Sequence, residues 1–222
     1  MIKMEMVCGI DEAGRGPIIG PLVICGVLIE QGKEQELVDL GVKDSKLLTP
    51  LQRERIAKIL EKKYRFKAIT IPPKEVDDAV NGKEGLNLNW LEAKKATEII
   101  NWLEPESVIL DCPSPNIKAY TDYIKEGFKN KKTALLCAHH ADRDHVVVGA
   151  ASIIAKVLRD RLIEELKEKI NEDFGSGYVA DPKTKKFLDA NWAKYPDIFR
   201  HSWSPYKVLA SGGKQKGLKE FD

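Results

Sequence analysis

The sequence predicts an α/β protein built on a mixed β-sheet flanked by helices, with a small helical C-terminal appendage. Three observations predict it. Two apolar, β-leaning runs, residues 4–11 and 21–30 (PLVICGVLIE), stand next to each other and are separated by a loop containing glycines and prolines. After them, short apolar runs alternate with stretches of helical periodicity, the order that sets a parallel remainder behind an antiparallel edge. Beyond GSGY at residues 175–178 only short helical patterns remain.

Each element has its own signal. Residues 4–11 and 21–30 form a hairpin-like start. Thr49-Pro50-Leu51-Gln52 supplies an N-cap, a proline at the first helical position and a capping-box glutamine, opening a helix that runs to about residue 64. Residues 65–71 (RFKAITI) alternate and read as a third strand. Asn89, followed three residues on by Glu92, predicts a second capped helix that carries Leu91, Ile99 and Leu103 toward Pro105. Residues 107–111 (SVILD) and 133–138 (TALLCA) read as short buried strands, with a helix over 117–128 between them.

Residues 146–170 hold the longest helical pattern, with Ile154, Leu158, Leu162, Leu166 and Ile170 repeating every fourth residue. Its first half, VVVGAASIIA, is apolar all round and its second half, RDRLIEELKEK, is amphipathic, so the helix leaves the core as it proceeds. Short helical stretches follow at 182–194 and 205–210, and the tail 211–222 is flexible by composition. The expected division is one domain over 1–174 and a helical appendage with its tail over 175–222.

At 222 residues, 43% hydrophobic and 32% charged, the chain holds enough apolar material for one sizeable core. No run approaches the ~20 apolar residues of a membrane helix. The start MIKMEMVCGID lacks the apolar core and cleavage site of a signal peptide, so a cytoplasmic protein without membrane contact is expected, a monomer by default. Cys8, Cys25, Cys112 and Cys137 sit singly in apolar runs, with no C-x-x-C pair, and read as small buried hydrophobes. A net charge of +2 neither demands nor excludes nucleic acid.

Chemistry concentrates where the apolar runs end. Asp11 and Asp111 each close a short strand, VCGID and SVILD, and Asp142 follows TALLCA by a few residues. If the first two strands are parallel neighbours, their acids lie at one carboxyl end of the sheet, where open α/β folds bind ligands. An isolated aspartate there is also a common turn or cap residue. Glu12 beside Asp11 is harder to explain so: successive strand side chains face opposite ways, and both acids reach one centre only if the chain leaves strand geometry, which Ala13-Gly14 permits. Clustered carboxylates without cysteine favour a hard cation, Mg²⁺ or Mn²⁺. Two such ions ~3.5–4 Å apart would activate water and stabilise the leaving oxygen of a phosphodiester. Gly14-Arg15-Gly16 does not open a dinucleotide-binding helix, because Pro17 and another strand follow, and no P-loop is present.

DEAGRG at residues 11–16, DSK at 44–46, SVILD at 107–111, AD at 141–142, AASIIAKVLRD at 150–160 and GSGY at 175–178 occur in an order that resembles the ribonuclease HII family. The resemblance covers about residues 7–178. It implies a ribonuclease H-like fold and a divalent-metal endonuclease that cuts the RNA strand of RNA–DNA hybrids, including at a single ribonucleotide within duplex DNA, giving 5′-phosphate and 3′-hydroxyl ends. It implies that Asp11, Glu12, Asp111 and Asp142 are the metal-binding catalytic acids. It further implies that backbone groups of Gly14, Arg15 and Gly16 read the ribose 2′-hydroxyl and that Tyr178 recognises the RNA–DNA junction. Lys46, Ser152 and Lys156 match the family's nucleic-acid contacts.

The chain departs from the family in one place: His140-Ala141-Asp142 stands where Lys-Ala-Asp is frequent, and Asp144 follows as an extra acid that competes with Asp142 for the ligand role. His139, His140 and His145 have no cysteine at ligand spacing, which disfavours zinc. Asp160 reads as a partner in a helix-surface ion pair. The competing readings are another nuclease of the same general fold, such as a junction resolvase or an integrase-like enzyme, and a non-catalytic nucleic-acid-binding module. The first would ignore a lone 2′-hydroxyl; the second would bind in a salt-dependent way and cut nothing.

Overall fold

A computed structural model describes residues 5–43 and 45–212; Met4 of the first expected strand, Asp44 of the DSK stretch and residues 213–222 of the tail lie outside them. Among the described residues the sheet has five strands in the order β3-β2-β1-β4-β5. They are β1 (Met6–Ala13), β2 (Leu22–Glu30), β3 (Arg65–Ile71), β4 (Ser107–Asp111) and β5 (Ala134–Ala138). β1 pairs antiparallel with β2 and β2 with β3, whereas β1 with β4 and β4 with β5 run parallel. The antiparallel edge and parallel remainder are those the run order predicts.

One face of the sheet is covered by α1 (Glu34–Asp39), α2 (Pro50–Lys63) and α7 (Val146–Ile170), the other by α3 (Pro73–Val80), α4 (Leu88–Leu103) and α5 (Ile117–Glu126). The short α6 (Ala141–Asp144) links β5 to α7. On β1, Val7 and Ala13 pack into the first apolar cluster and Cys8 and Ile10 into the second, so odd positions face α7 and even positions face α4. A side chain at Gly9 would collide with the backbone of Val147 and Val148, because the first turn of α7 lies directly on the strand. That contact anchors α7 beside the end of β1. All four cysteines are buried and unpaired.

The caps explain the helix boundaries. Thr49 and Gln52 form the reciprocal capping box at the start of α2, with Pro50 in the first turn. α4 begins two residues earlier than its sequence signal, because Asn87 rather than Asn89 is the cap and accepts from the Trp90 amide at 3.0 Å. α7 spans 25 residues; its first half is buried and its second half emerges as its amphipathic pattern requires.

Beyond α7 come α8 (Pro182–Asn191) and α9 (Ser204–Ala210). This segment packs on the loop between β1 and β2 through a third apolar cluster in which Ile18 and Ile19 meet Phe174, Phe187, Phe199 and Tyr206. Ile18 and Ile19 donate to the Gly177 carbonyl at 2.8 and 3.2 Å, and Arg200 N donates back to Ile18 at 2.8 Å. Buried Asp77 of α3 accepts from the amides of His201 and Ser202 at 2.7 and 2.8 Å. No helix among the described residues is long and apolar enough to cross a membrane.

Candidate active site

The acids converge because of where pairing stops. β1 and β4 pair in parallel as far as Ile10 and Leu110, so Asp11 and Asp111 emerge side by side at the carboxyl ends. Past β5, His140 adopts a left-handed conformation, with φ 60°, and the turn delivers Asp142 in the first turn of α6. Ala141 N donates to Asp111 Oδ1 at 2.7 Å, locking that turn to the end of β4.

Glu12 reaches the same cleft differently from the sequence expectation. The chain does not leave strand geometry at Glu12: Asp11, Glu12 and Ala13 stay paired with Cys25, Ile24 and Val23 of β2. Among the described residues, however, the opposite edge of β1 has no strand partner beyond Ile10, so side chains of both faces border the opening there. Asp11 lies on the α7 side, where Ser152 lowers its pKa through a side-chain hydrogen bond; Glu12 lies on the α4 side, under the negative charge of Glu92.

The cleft encloses about 320 Å³. Asp11, Glu12, Asp111 and Asp142 line it, together with Gly14, Arg15, Gly16 and Tyr178 and, on the third side, Lys46, Ser152 and Lys156. The four acids and the residues matched to the family's substrate contacts therefore border one cavity, whereas His139, His140, His145 and Asp160 lie outside its lining. Asp142 is buried whereas Asp144 is exposed and not part of the lining, which favours Asp142 as the ligand. Lys46 is 72% exposed, with Nζ 3.8 Å from the Asp142 carboxylate. Ser152 exchanges a hydrogen bond with Ser45 at 3.0 Å. Lys156 is paired with Asp160 one helical turn away, the surface pair expected of that aspartate.

Electrostatics match a site waiting for positive charge. Burial pushes Asp11 up to about 7, with the charges of Asp111 and Asp142 adding and the Ser152 hydroxyl and Glu12 amide opposing. Burial also holds Glu12 well above the carboxylate range, reinforced by Glu92 and Asp11 and opposed by Arg15. Asp111 is raised by burial as well, against the Ala141 amide. Among the described residues no three His, Cys, Asp or Glu side chains are gathered as a ready ion cage. Asp11 and Asp111 each turn an oxygen to a backbone amide, of Glu12 and Ala141, at 2.7 Å. The donor chemistry suits a hard divalent cation: the lining offers carboxylate oxygens and neither cysteine nor histidine.

The wall opposite the acids is irregular backbone held from behind. Gly14 has φ +91°, and a side chain there would strike Arg159 Cδ and Nε at 2.5 Å. Arg200, fully buried, donates to the carbonyls of Gly14, Arg15 and Gly20. Trp203 Nε1 donates to the Gly16 carbonyl at 3.1 Å. Arg15 sends its side chain to α4, donating to Glu92 and, at 2.8 Å, to Asn89 Oδ1. Tyr178 is 40% exposed, lies next to Gly16 and has the Arg159 guanidinium 5.4 Å from its ring centroid. Arg159 and Arg200 are both pulled below the usual guanidinium range by burial, Arg200 to about 10.

Sequence reasoning passed over several of these residues. Glu92 and Asn89 read as a cap pair, Arg200 and Trp203 fell between the two short terminal helices expected at 182–194 and 205–210, and Arg53 drew no notice as a site residue, though it lines the cleft and donates to the carbonyls of Ser45 and Leu48 at 3.0 and 2.6 Å. One signal was available: Glu92 falls among Leu91, Ala96 and Ile99, and Arg159 falls one turn before Ile163, each a charge inside an apolar stripe.

Comparison with known proteins agrees with this geometry. The sequence profile of ribonuclease HII matches residues 8–206. The chain belongs to the ribonuclease HII family. It is 39% identical over 223 residues to the ribonuclease HII of Methanocella arvoryzae, covering 99% of this chain and 98% of that protein. The crystal structure of the ribonuclease H2 from Pyrococcus horikoshii superposes with a TM-score of 0.84 at 38% identity, over 95% of this chain and 99% of that one. The fold extends to Bst-RNase HIII, solved in complex with Mn²⁺, at a TM-score of 0.75 and 21% identity, over 97% of this chain and 72% of that one. As a ribonuclease HII, the protein is an endoribonuclease, a hydrolase that cuts the RNA strand of RNA–DNA hybrids.

Proposed function

We propose that this ribonuclease HII cleaves at ribonucleotides in duplex DNA, single ones included, by divalent-metal-dependent hydrolysis that leaves 5′-phosphate and 3′-hydroxyl ends. The observation that carries this reading is the meeting in one cleft of four carboxylates with the loop of Gly14, Arg15 and Gly16 and with Tyr178. Asp11, Glu12, Asp111 and Asp142 would hold Mg²⁺ or Mn²⁺, whose chemistry is activation of water and stabilisation of the departing 3′-oxygen.

The chain's own residues divide the remaining work. Asp111, held by the Ala141 amide, and Asp11, held by the Glu12 amide, keep their carboxylates aimed along the strand ends. The three carbonyls of residues 14–16 are engaged from behind by Arg200 and Trp203. No backbone hydrogen bond among the described residues occupies the amides of Arg15 and Gly16, which supports their use in reading a ribose 2′-hydroxyl. Tyr178 offers a ring face for stacking against the sugar at the junction, and Lys46 and Lys156 offer charge to the phosphates flanking it. Four unpaired buried cysteines support a reducing, cytoplasmic setting.

The test is cleavage of a duplex carrying one embedded ribonucleotide, beside an all-deoxy duplex, with Mg²⁺, with Mn²⁺ and with EDTA. A single cut at the ribonucleotide, in metal only, is the expected result. Cutting of the all-deoxy duplex would favour a resolvase-like enzyme, and full activity in EDTA would remove the metal from the mechanism.

A further inference from the structure

Glu92 sits on the apolar face of α4, 2% exposed, where a charged group is costly unless it is paired. Its Oε2 accepts from Arg15 Nη1, and its Oε1 has no hydrogen-bond partner among the described residues. Asn89, one turn earlier on the same face, accepts from Arg15 Nη2 at 2.8 Å. Two α4 residues thus receive the fork of one guanidinium, an arrangement that fixes direction as well as distance. This tether acts on the Arg15 side chain, whereas Arg200 and Trp203 bond the loop carbonyls.

We propose that Glu92, with Asn89, is a positioning residue for ribonucleotide selection: it holds the Arg15 guanidinium against α4, so that the loop meets the sugar with its backbone and not with a mobile positive charge. This rests on the reading of residues 14–16 as the 2′-hydroxyl sensor. Two consequences are specific to it. Without Glu92 the loop loses its orientation, and discrimination between ribose and deoxyribose falls. The released Arg15 becomes available to phosphate, so affinity for plain DNA becomes more salt-dependent, a change that a merely loosened fold would not produce.

The experiment measures KM for the single-ribonucleotide duplex and the competitive inhibition constant of the all-deoxy duplex, in Mg²⁺, at several salt concentrations. For Glu92→Ala the ratio of the two constants should fall about tenfold, with the KM change exceeding the kcat change, and the slope of log affinity for the all-deoxy duplex against log salt should steepen by about 0.9, one extra phosphate contact. Glu92→Gln, which can still accept from Arg15, should restore discrimination to within about threefold of the parent protein. Arg15→Ala should lose discrimination without the steeper slope, and adding Glu92→Ala to it should change little, since the pair acts as one unit. A Glu92→Ala protein that folds and keeps the parent's ratio and slope would overturn the proposal. If that variant does not fold, Asn89→Ala carries the test, and its unchanged ratio would overturn it equally. A parent protein that shows no preference for the ribonucleotide duplex would instead refute the proposed function itself.

Discussion

The two walls of the cleft are built on different principles. Asp11, Glu12 and Asp111 stand on strands whose backbones are locked into the sheet, and Asp142 follows one tight turn bonded to Asp111. Residues 14–16 and Tyr178 lie outside helix and strand, and buried arginines and a tryptophan from α7 and the C-terminal segment hold them. Groups that repel each other need a rigid frame, which the ladder supplies. A loop that must present its amides to a ligand cannot spend them on a ladder, so its carbonyls are tied from behind instead. Under the proposed function, cutting and choosing then depend on distant parts of the chain although they share one cavity.

Breaking the acidic wall should have the largest effect. Asp11→Asn should reduce cleavage on the order of a hundredfold or more, measured as single-turnover rate. The same change should raise the melting temperature of the metal-free protein. Asp11 titrates near 7 in the fold against 3.8 ordinarily, so the stability tied to its protonation is present below about pH 4 and lost as pH rises through about 7. The gap between variant and parent should accordingly widen from pH 4 to pH 8, and a gap independent of pH would contradict the assigned burial of this charge.

Breaking the other wall should register first in stability. Arg200→Ala strands the carbonyls of Gly14, Arg15 and Gly20, and urea unfolding should show a loss of about 3 kcal/mol or more, which lysine, lacking the planar fork, should not restore. Gly14→Ala forces a side chain into positive φ and against Arg159, a local strain of about 1–3 kcal/mol. Its effect should appear as a raised KM for the ribonucleotide duplex, with little change in affinity for plain DNA.

The smallest effects sharpen the contrast within a single turn of α4. Asn87→Ala removes the helix cap and should lower stability by about 1 kcal/mol without touching cleavage. Asn89→Ala, two residues on, should raise KM a few-fold and leave the melting temperature nearly unchanged. Identical outcomes for the two would mean that Asn89 does not orient Arg15.

This pair also marks where the sequence was legible. Apolar runs, the Thr49 capping box and the amphipathic fade of α7 are local signals, and each reappears in the structure because nearby residues decide it. That Asp11 and Asp111 each close a strand was legible, whereas their parallel adjacency stood only as a condition that the pairing of β1 with β4 meets. The grip of Arg200 on Gly14, by contrast, spans 186 positions, and no local pattern announces a long-range hydrogen bond to a carbonyl. Asn89 misled because Asn-x-x-Glu is a capping pattern, while burial of Glu92 and the reach of Arg15 drew both residues toward the loop. The strand persistence at Glu12 was hidden for a related reason: whether a strand end opens to a cleft depends on where pairing with its neighbour stops, here at Ile10 and Leu110.

The most direct test of the separation between the walls is binding by the Asp11→Asn protein. Its affinity for a duplex with one ribonucleotide, measured against an all-deoxy duplex in Mg²⁺, should keep the preference of the parent protein while its cleavage rate collapses. Loss of that preference together with cleavage would contradict the account, because the acids would then be choosing as well as cutting.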